Sequence, residues 1–306
     1  MAGVIRQVFT FDPAPSNLGG IAGTPSHFRA TTSTPTLPNS TIVVVACIAN
    51  LSSNTVNGIS DSTNPAYTSL DHLTKPSDGL DIGSYYFPNA GAIAAGDGGD
   101  ATGGSTTTCQ DTAKAWTTNQ WVGATYFNLS NGATSTVTSN TATQLTFGAT
   151  SATAAGNRYS VGGYVDIQVS NFDDYNAAIC VELTGLSASP LLGHNATQAS
   201  YTAGTDNAVS GTAALGSSPG IILGFAIADV SLSSVPATGT GNTSSSVVWK
   251  WDQAQFNARL QYRNASNPGT AGSNFSALTS DHYQVFMMAF ADASAATKQL
   301  LTLGLG

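Results

Sequence analysis

The sequence predicts an all-β protein: an antiparallel β-sandwich of jelly-roll type that carries a small inserted β-module. Three observations lead there. Charged residues make up 8 % of the 306-residue chain, against roughly 25 % in an average soluble domain. The acidic residues are 16 Asp and one Glu, Glu182, while Lys and Arg total 9. That scarcity of Glu, Lys and Arg removes the usual material of exposed helix faces, and the abundant Thr, Ser, Gly, Asn and Ala suit strands, turns and tight loops. Finally, short apolar or alternating runs are separated by turn clusters, a spacing that favours an antiparallel sandwich over βαβ units.

Taken in order, residues 1–38 read as an N-terminal arm, with a strand-like start (VIRQVFTF, Val4 to Phe11) and then Pro-, Gly-, Ser- and Thr-rich chain without periodicity. Asn39 to Asn50 (NSTIVVVACIAN) is apolar at every position of its centre, so it belongs in the middle of a sheet. Ser60 to Leu70 reads as a turn and an exposed strand, Leu80 to Phe87 as another strand, and Asn89 to Thr108 as a loop containing GDGGD. Beyond the module come Asn176 to Leu183, a polar loop from Ser187 to Gly216, and the buried strand Gly220 to Val230. Ser246 to Trp251 and Ala258 to Asn264 suit a hairpin, and Asp281 to Asp292 closes the fold as a central strand. The expected organisation is an arm (1–38), a discontinuous sandwich (39–108 plus 169–306) and an inserted module (109–168).

The module has the clearest local design. Gly123 to Ser130 and Ala133 to Asn140 are Thr- and aromatic-rich runs joined by Asn131-Gly132, the hairpin signal of a type I′ turn, whose two central residues need positive φ. Thr141 to Gly148 supplies a third strand and Arg158 to Ile167 a fourth, with Trp116 and Trp121 placed to cover one face. The pattern W-x-x-N-Q-W-x-G (Trp116, Asn119, Gln120, Trp121, Gly123), then S-N-G at Ser130 to Gly132, then Ser139 to Phe147, then Gly156, Tyr159 and Val161, resembles a β-module that recurs in structural proteins of tailed bacteriophages. The resemblance covers about a fifth of the chain. It implies a virion location, with other virion proteins (major capsid or tail) and further copies of this chain as partners. It does not imply which part of the particle, because such modules are grafted onto several components.

Charge and cysteine content exclude several functions. The net charge of −8 comes without any acidic or basic run, and nine scattered basic residues make no cationic footprint for nucleic acid. No apolar run reaches transmembrane length, and the first residues lack the apolar core of a secretory signal, so synthesis in the host cytoplasm without membrane insertion is expected. Cys47, Cys109 and Cys180 are an odd count without CxxC spacing, which argues against a disulfide framework or a zinc site.

The candidates for chemistry are few. Gly216-Ser-Ser-Pro-Gly220 matches G-x-S-x-G around Ser218, but that elbow requires a helix after the serine, and a strand is expected here. His27, His72, His194 and His282 lack metal spacing. Asp97 and Asp100 could supply oxygen ligands to calcium, although no EF-hand spacing is present. Glu182 with Asp173 and Asp174 could be read as the carboxylate pair of a glycosidase, but lone carboxylates in a chain with sixteen Asp are mostly turn and cap residues. Trp116 with Trp121, and Trp249 with Trp251 on one strand face, are candidate stacking platforms for a host-surface glycan, against the ordinary use of such rings as caps over a core. The expectation is a non-enzymatic, cofactor-free structural protein on the outside of a phage particle, as capsid decoration or as a tail or fibre part. The alternative is a lectin-like glycan-binding sandwich.

Overall fold

Ser40–Ala49 explains the architecture, because its side chains alternate between two different cores. Val43, Val45 and Cys47 enter one, and Ile42, Val44, Ala46 and Ile48 enter the other. A strand apolar on both faces must be covered on both, and this one lies at the centre of a five-stranded sheet ordered Val4–Phe11, Asn176–Thr184, Ser40–Ala49, Leu80–Ala90 and Thr68–Lys75. The computed structural model describes residues 3–11, 26–49, 55–75, 80–170, 176–201, 207–216, 218–228, 246–252, 257–266, 269–276 and 281–293. Every regular element among them is a β-strand, and every strand pairing is antiparallel.

On one face this sheet packs against a second five-stranded sheet, ordered Leu186–Tyr201, Asp281–Asp292, Gly220–Ala228, Asn257–Ala265 and Ser246–Asp252. Ile221, Leu223, Phe225, Phe286, Met288 and Phe290 fill the space between the two. The intervening residues Ile222, Met287 and Ala289 point the other way, onto Leu215 and Ala271 of the two-stranded sheet Asn207–Gly216 and Gly269–Ser276. The opposite face of the first sheet packs against the three-stranded sheet Ser26–Ala30, Val165–Val169 and Val56–Asp61, through Phe28, Ile59 and Ile167. The sandwich therefore has four layers, and its two middle sheets contain the runs that are apolar at consecutive positions.

Several sequence expectations need correction. The described residues of the expected arm (1–38) do not stand apart from the sandwich. Val4–Phe11 is a strand of the first sheet, with Val8 opposite Val181, and Ser26–Ala30 pairs with Val165–Val169. Phe28 is fully buried and Phe9 nearly so, which removes the reason to treat the segment as surface. Within the expected loop from Ser187 to Gly216, the described residues form two strands, Leu186–Tyr201 and Asn207–Gly216.

The module begins earlier than residue 109 and ends before 168. Its seven-stranded sheet is ordered Gly96–Asp100, Arg158–Gly162, Thr125–Asn128, Thr134–Asn140, Gln144–Phe147, Thr108–Gln110 and Gly103–Gly104. The GDGGD segment, expected as loop, is a strand because glycine lets it lie close to its neighbour. A Cβ on Gly98 would stand 2.7 Å from the Tyr159 carbonyl oxygen. The run expected from Arg158 to Ile167 breaks at Gly162 (φ 82°), after which Val165–Val169 joins a different sheet.

The hairpin forms, but with a wider loop than Asn131-Gly132 alone. Phe127 pairs with Thr134, the Asn128 N–H donates to Ala133 O at 2.7 Å, and the Gly132 N–H donates to Asn128 O at 2.8 Å. Gly132 has positive φ (74°) and Asn131 does not; it instead accepts from the Ala133 N–H through Oδ1 and donates through Nδ2 to Ala152 O.

Candidate functional site

The tryptophans were the leading candidates, and the module uses two of them internally. Trp116 is 7 % and Trp121 is 5 % exposed. Trp116 meets Tyr159 edge-on with ring centroids 6.3 Å apart, and Tyr126 stacks on Phe147 at 4.2 Å. These rings build the module's own core, so Trp116 with Trp121 is not an exposed platform. Trp249 and Trp251 sit opposite Leu260 and Ala258 in strand register; their side chains lie outside the described residues.

The acidic candidates act as ties between strands. Asp97 accepts from the Trp116 indole N–H at 2.7 Å and from Lys114 Nζ at 2.9 Å, and Asp100 pairs with Arg158 at 3.3 Å. With those partners Asp97 and Asp100 hold the first strand of the module to its core, and no group of His, Cys, Asp or Glu suited to a metal ion is present among the described residues. Glu182 is fully buried and accepts from Arg6, from Gln7 Nε2 at 2.7 Å and from the Leu37 N–H at 2.6 Å. Asp173 and Asp174 lie outside the described residues. Ser218 is exposed between Asn207–Gly216 and Gly220–Ala228, with a strand and not a helix after it. The nucleophile elbow is therefore absent.

Three histidines pair with aspartates. His194 reaches Asp71 at 2.9 Å, and His27 reaches Asp166 at 2.7 Å. Burial alone would raise the Asp166 carboxyl, but the His27 hydrogen bond and the Arg29 guanidinium outweigh it and hold the group below its ordinary range. Arg29 is in turn clamped between Phe127 of the module and Tyr164, 3.8 and 3.7 Å from the ring centroids, a cation–π contact that joins module to sandwich. His72 meets fully buried Asp81 at 2.7 Å, and Asp81 also accepts from Thr74 Oγ1 at 2.6 Å and from the Val56 N–H at 2.8 Å. The His282 side chain lies outside the described residues.

His72 gives a pH prediction. Its hydrogen bond to Asp81 raises its pKa above the ordinary 6.5. A group raised on folding stabilises fully below its unfolded value and loses that contribution as pH climbs through the folded one. Urea-unfolding free energy is expected to fall as pH rises from 6.5, and to fall less steeply in His72→Gln. Parallel profiles for the two proteins would rule the pair out as the cause.

Each cysteine sits in a different core: Cys47 between the two five-stranded sheets, Cys180 on the opposite face of the first sheet, and Cys109 in the module. Burial pushes the Cys47 and Cys109 thiols up to about 12 and Cys180 up as well. All three are free, buried thiols, the state in which cysteine is unreactive.

What does form a concave site is the junction of module and sandwich. The chain enters the module through Ala94-Ala95 and leaves through Gly162-Gly163, and the two crossings are bonded through the Gly163 N–H and Ala95 O at 3.0 Å. Beside them is an open cleft of about 460 Å³. It is lined by Trp121, by Ser62, Thr63, Gln120 and Thr125, and by alanines and glycines. None of the lining residues is charged. The Trp121 indole N–H is buried and has no hydrogen-bond partner. Sequence reading picked out Trp121 but not the cleft; the available signal was the pair of small-residue dipeptides flanking the module. No protein-family model matches the chain, and no curated protein is significantly similar to it.

Proposed function

We propose that this chain is a non-enzymatic structural protein of a bacteriophage particle, carried on the outer surface as capsid decoration or as a tail or fibre component. It works through protein–protein packing, with other virion proteins and further copies of itself as partners. The observation that favours this reading is how the chain uses its scarce ionisable groups. Glu182, Asp81, Asp166 and Asp97 each join one strand to another or to the chain beside it, through Arg6, His72, Arg29 and Lys114 respectively. A catalytic centre would instead gather such groups around a shared cavity. The resemblance of the module to those of tailed-phage proteins supports the same reading, as do four stacked β-layers under a hydroxyl- and amide-rich surface. The outer strands of the five-stranded sheets offer edges for pairing between copies.

The test is quantitative mass spectrometry of sedimentable particles from the source culture, scaled to the major capsid protein. Copies in a simple ratio to capsid subunits are expected for decoration, and a handful per particle for a tail or fibre part. Absence from every particle fraction would overturn the proposal.

A further inference from the structure

We propose that the cleft at the module–sandwich junction is a binding site for a neutral saccharide. This goes beyond the structural reading and does not depend on it. A volume of about 460 Å³ lies within the roughly 300–1,000 Å³ of small-ligand sites. The lining selects the ligand class. Without a charged side chain, the site offers nothing to a phosphate, a sulfate or an acidic sugar, and it imposes no desolvation penalty from an unpaired ion. Ser62, Thr63 and Thr125 present hydroxyls and Gln120 an amide, groups that exchange hydrogen bonds with sugar hydroxyls as donor and acceptor alike. Trp121 adds an apolar part to the lining, and the alanines and glycines let a ligand approach the backbone closely.

The Trp121 indole N–H is the natural reporter of the site. Buried polar groups are nearly always paired, and its counterpart in Trp116 is paired, to Asp97. The Trp121 atom is closed to solvent, so its signal reports on how the ring packs beside the cleft and not on a bond to the ligand. The site differs from the two-tryptophan platform expected from sequence: one largely buried indole lines a cleft instead of two rings stacking on a sugar at the surface. Both linkers border the cleft, so a bound saccharide would also fix the module against the sandwich.

The experiment is an NMR titration of the ¹⁵N-labelled full chain, following the indole N–H signals of its four tryptophans. The Trp121 signal is assigned by its loss in Trp121→Phe. The probes are maltohexaose, cellohexaose, chitohexaose and mannohexaose, with polygalacturonate as the charged control. At least one neutral probe is expected to move the Trp121 signal while leaving that of Trp116 in place. Thr125→Trp, which fills the cleft from an exposed strand position, is expected to weaken binding by about tenfold or more without changing the melting temperature. The proposal is overturned if no neutral probe moves the Trp121 signal at millimolar concentration, if only polygalacturonate does, or if the shift survives undiminished in Thr125→Trp. A chain found on particles but silent in this titration sinks the cleft alone; a chain that binds but is absent from particles sinks the virion reading alone.

Discussion

Glu182→Ala is expected to lower the unfolding free energy by about 3–5 kcal/mol, the range for breaking a buried ionic network by removing one partner. Glu182 is the single glutamate of the chain and is fully buried in Asn176–Thr184. The register of Val4–Phe11 shifts between Ile5 and Gln7, so that Arg6 is an extra residue opposite Glu182. A bulge of this kind sets two residues of one strand against one of its partner, and here both Arg6 and Gln7 donate to the same carboxylate. They then reach onward to the chain between Ser26–Ala30 and Ser40–Ala49: Arg6 donates to Pro35 O at 2.9 Å and Gln7 to Thr34 O at 3.2 Å. The Leu37 N–H completes the set.

Alanine at 182 would strand the Leu37 N–H without an acceptor, leave the Gln7 amide only the longer bond to Thr34 O, and leave Arg6 half-buried without its counter-charge. Amide exchange should therefore accelerate first in residues 3–11 and 32–37, ahead of Ser40–Ala49. Glu182→Gln keeps an acceptor but turns a donor toward donors, and should lose about 1–3 kcal/mol. A loss under about 1 kcal/mol for Glu182→Ala, well short of a broken buried network, would mean that the N-terminal strand is held by its apolar contacts alone.

The same strand shows where sequence reading stops. Val4–Phe11 is visibly a strand by composition, yet its partners are Thr184 back to Ala178. Nothing local distinguishes a strand that docks so far along the chain from one at the start of a mobile arm. The central strands are legible for a physical reason: in a stack of four layers the middle sheets are buried on both faces, so Ser40–Ala49, Gly220–Ala228 and Asp281–Asp292 lose the period-two alternation and become continuous apolar runs.

Gly96–Asp100 is the opposite case. Its residues are turn formers by propensity, but close approach to Arg158–Gly162 and the anchoring of Asp97 by Trp116 and Lys114 make it a strand. Tertiary contact overrides local preference there. The sequence points to Trp121 but cannot show the cleft, since its lining joins segments nearly seventy residues apart, at Ala94-Ala95 and Gly162-Gly163.

Gly96→Ala is expected to cost about 3 kcal/mol or more, at the upper end of overpacking effects. The added Cβ would stand 1.9 Å from the Gly163 carbonyl oxygen and 3.0 Å from its carbon. The atom it meets belongs to backbone, so no rotamer change relieves the contact. Backbone movement is also constrained, because the Gly96 N–H donates to Thr32 O at 2.8 Å, the Gly163 N–H to Ala95 O at 3.0 Å and the Ser62 N–H to Tyr164 O at 3.0 Å. Gly163→Ala meets the same obstacle from the other side, with its Cβ 2.2 Å from Ala94 O.

Gly58→Ala is the control, since a Cβ there meets nothing within 4 Å and alanine costs less backbone entropy than glycine in a strand; it should be neutral or slightly stabilising. Amide exchange separates two ways in which Gly96→Ala can act. If the crossing yields locally, exchange rises at 94–96 and 162–164 while the module core around Tyr126 and Tyr159 keeps its protection. If it does not yield, Gly96–Asp100 detaches from Arg158–Gly162, Asp97 leaves Trp116 and Lys114, and the module core opens with it. Equal stability of Gly96→Ala and Gly58→Ala would show that the two crossings are not in contact. Because Ala95, Gly162 and Gly163 also line the cleft, the locally yielding variant is expected to lose the saccharide-dependent shift of Trp121 while remaining folded.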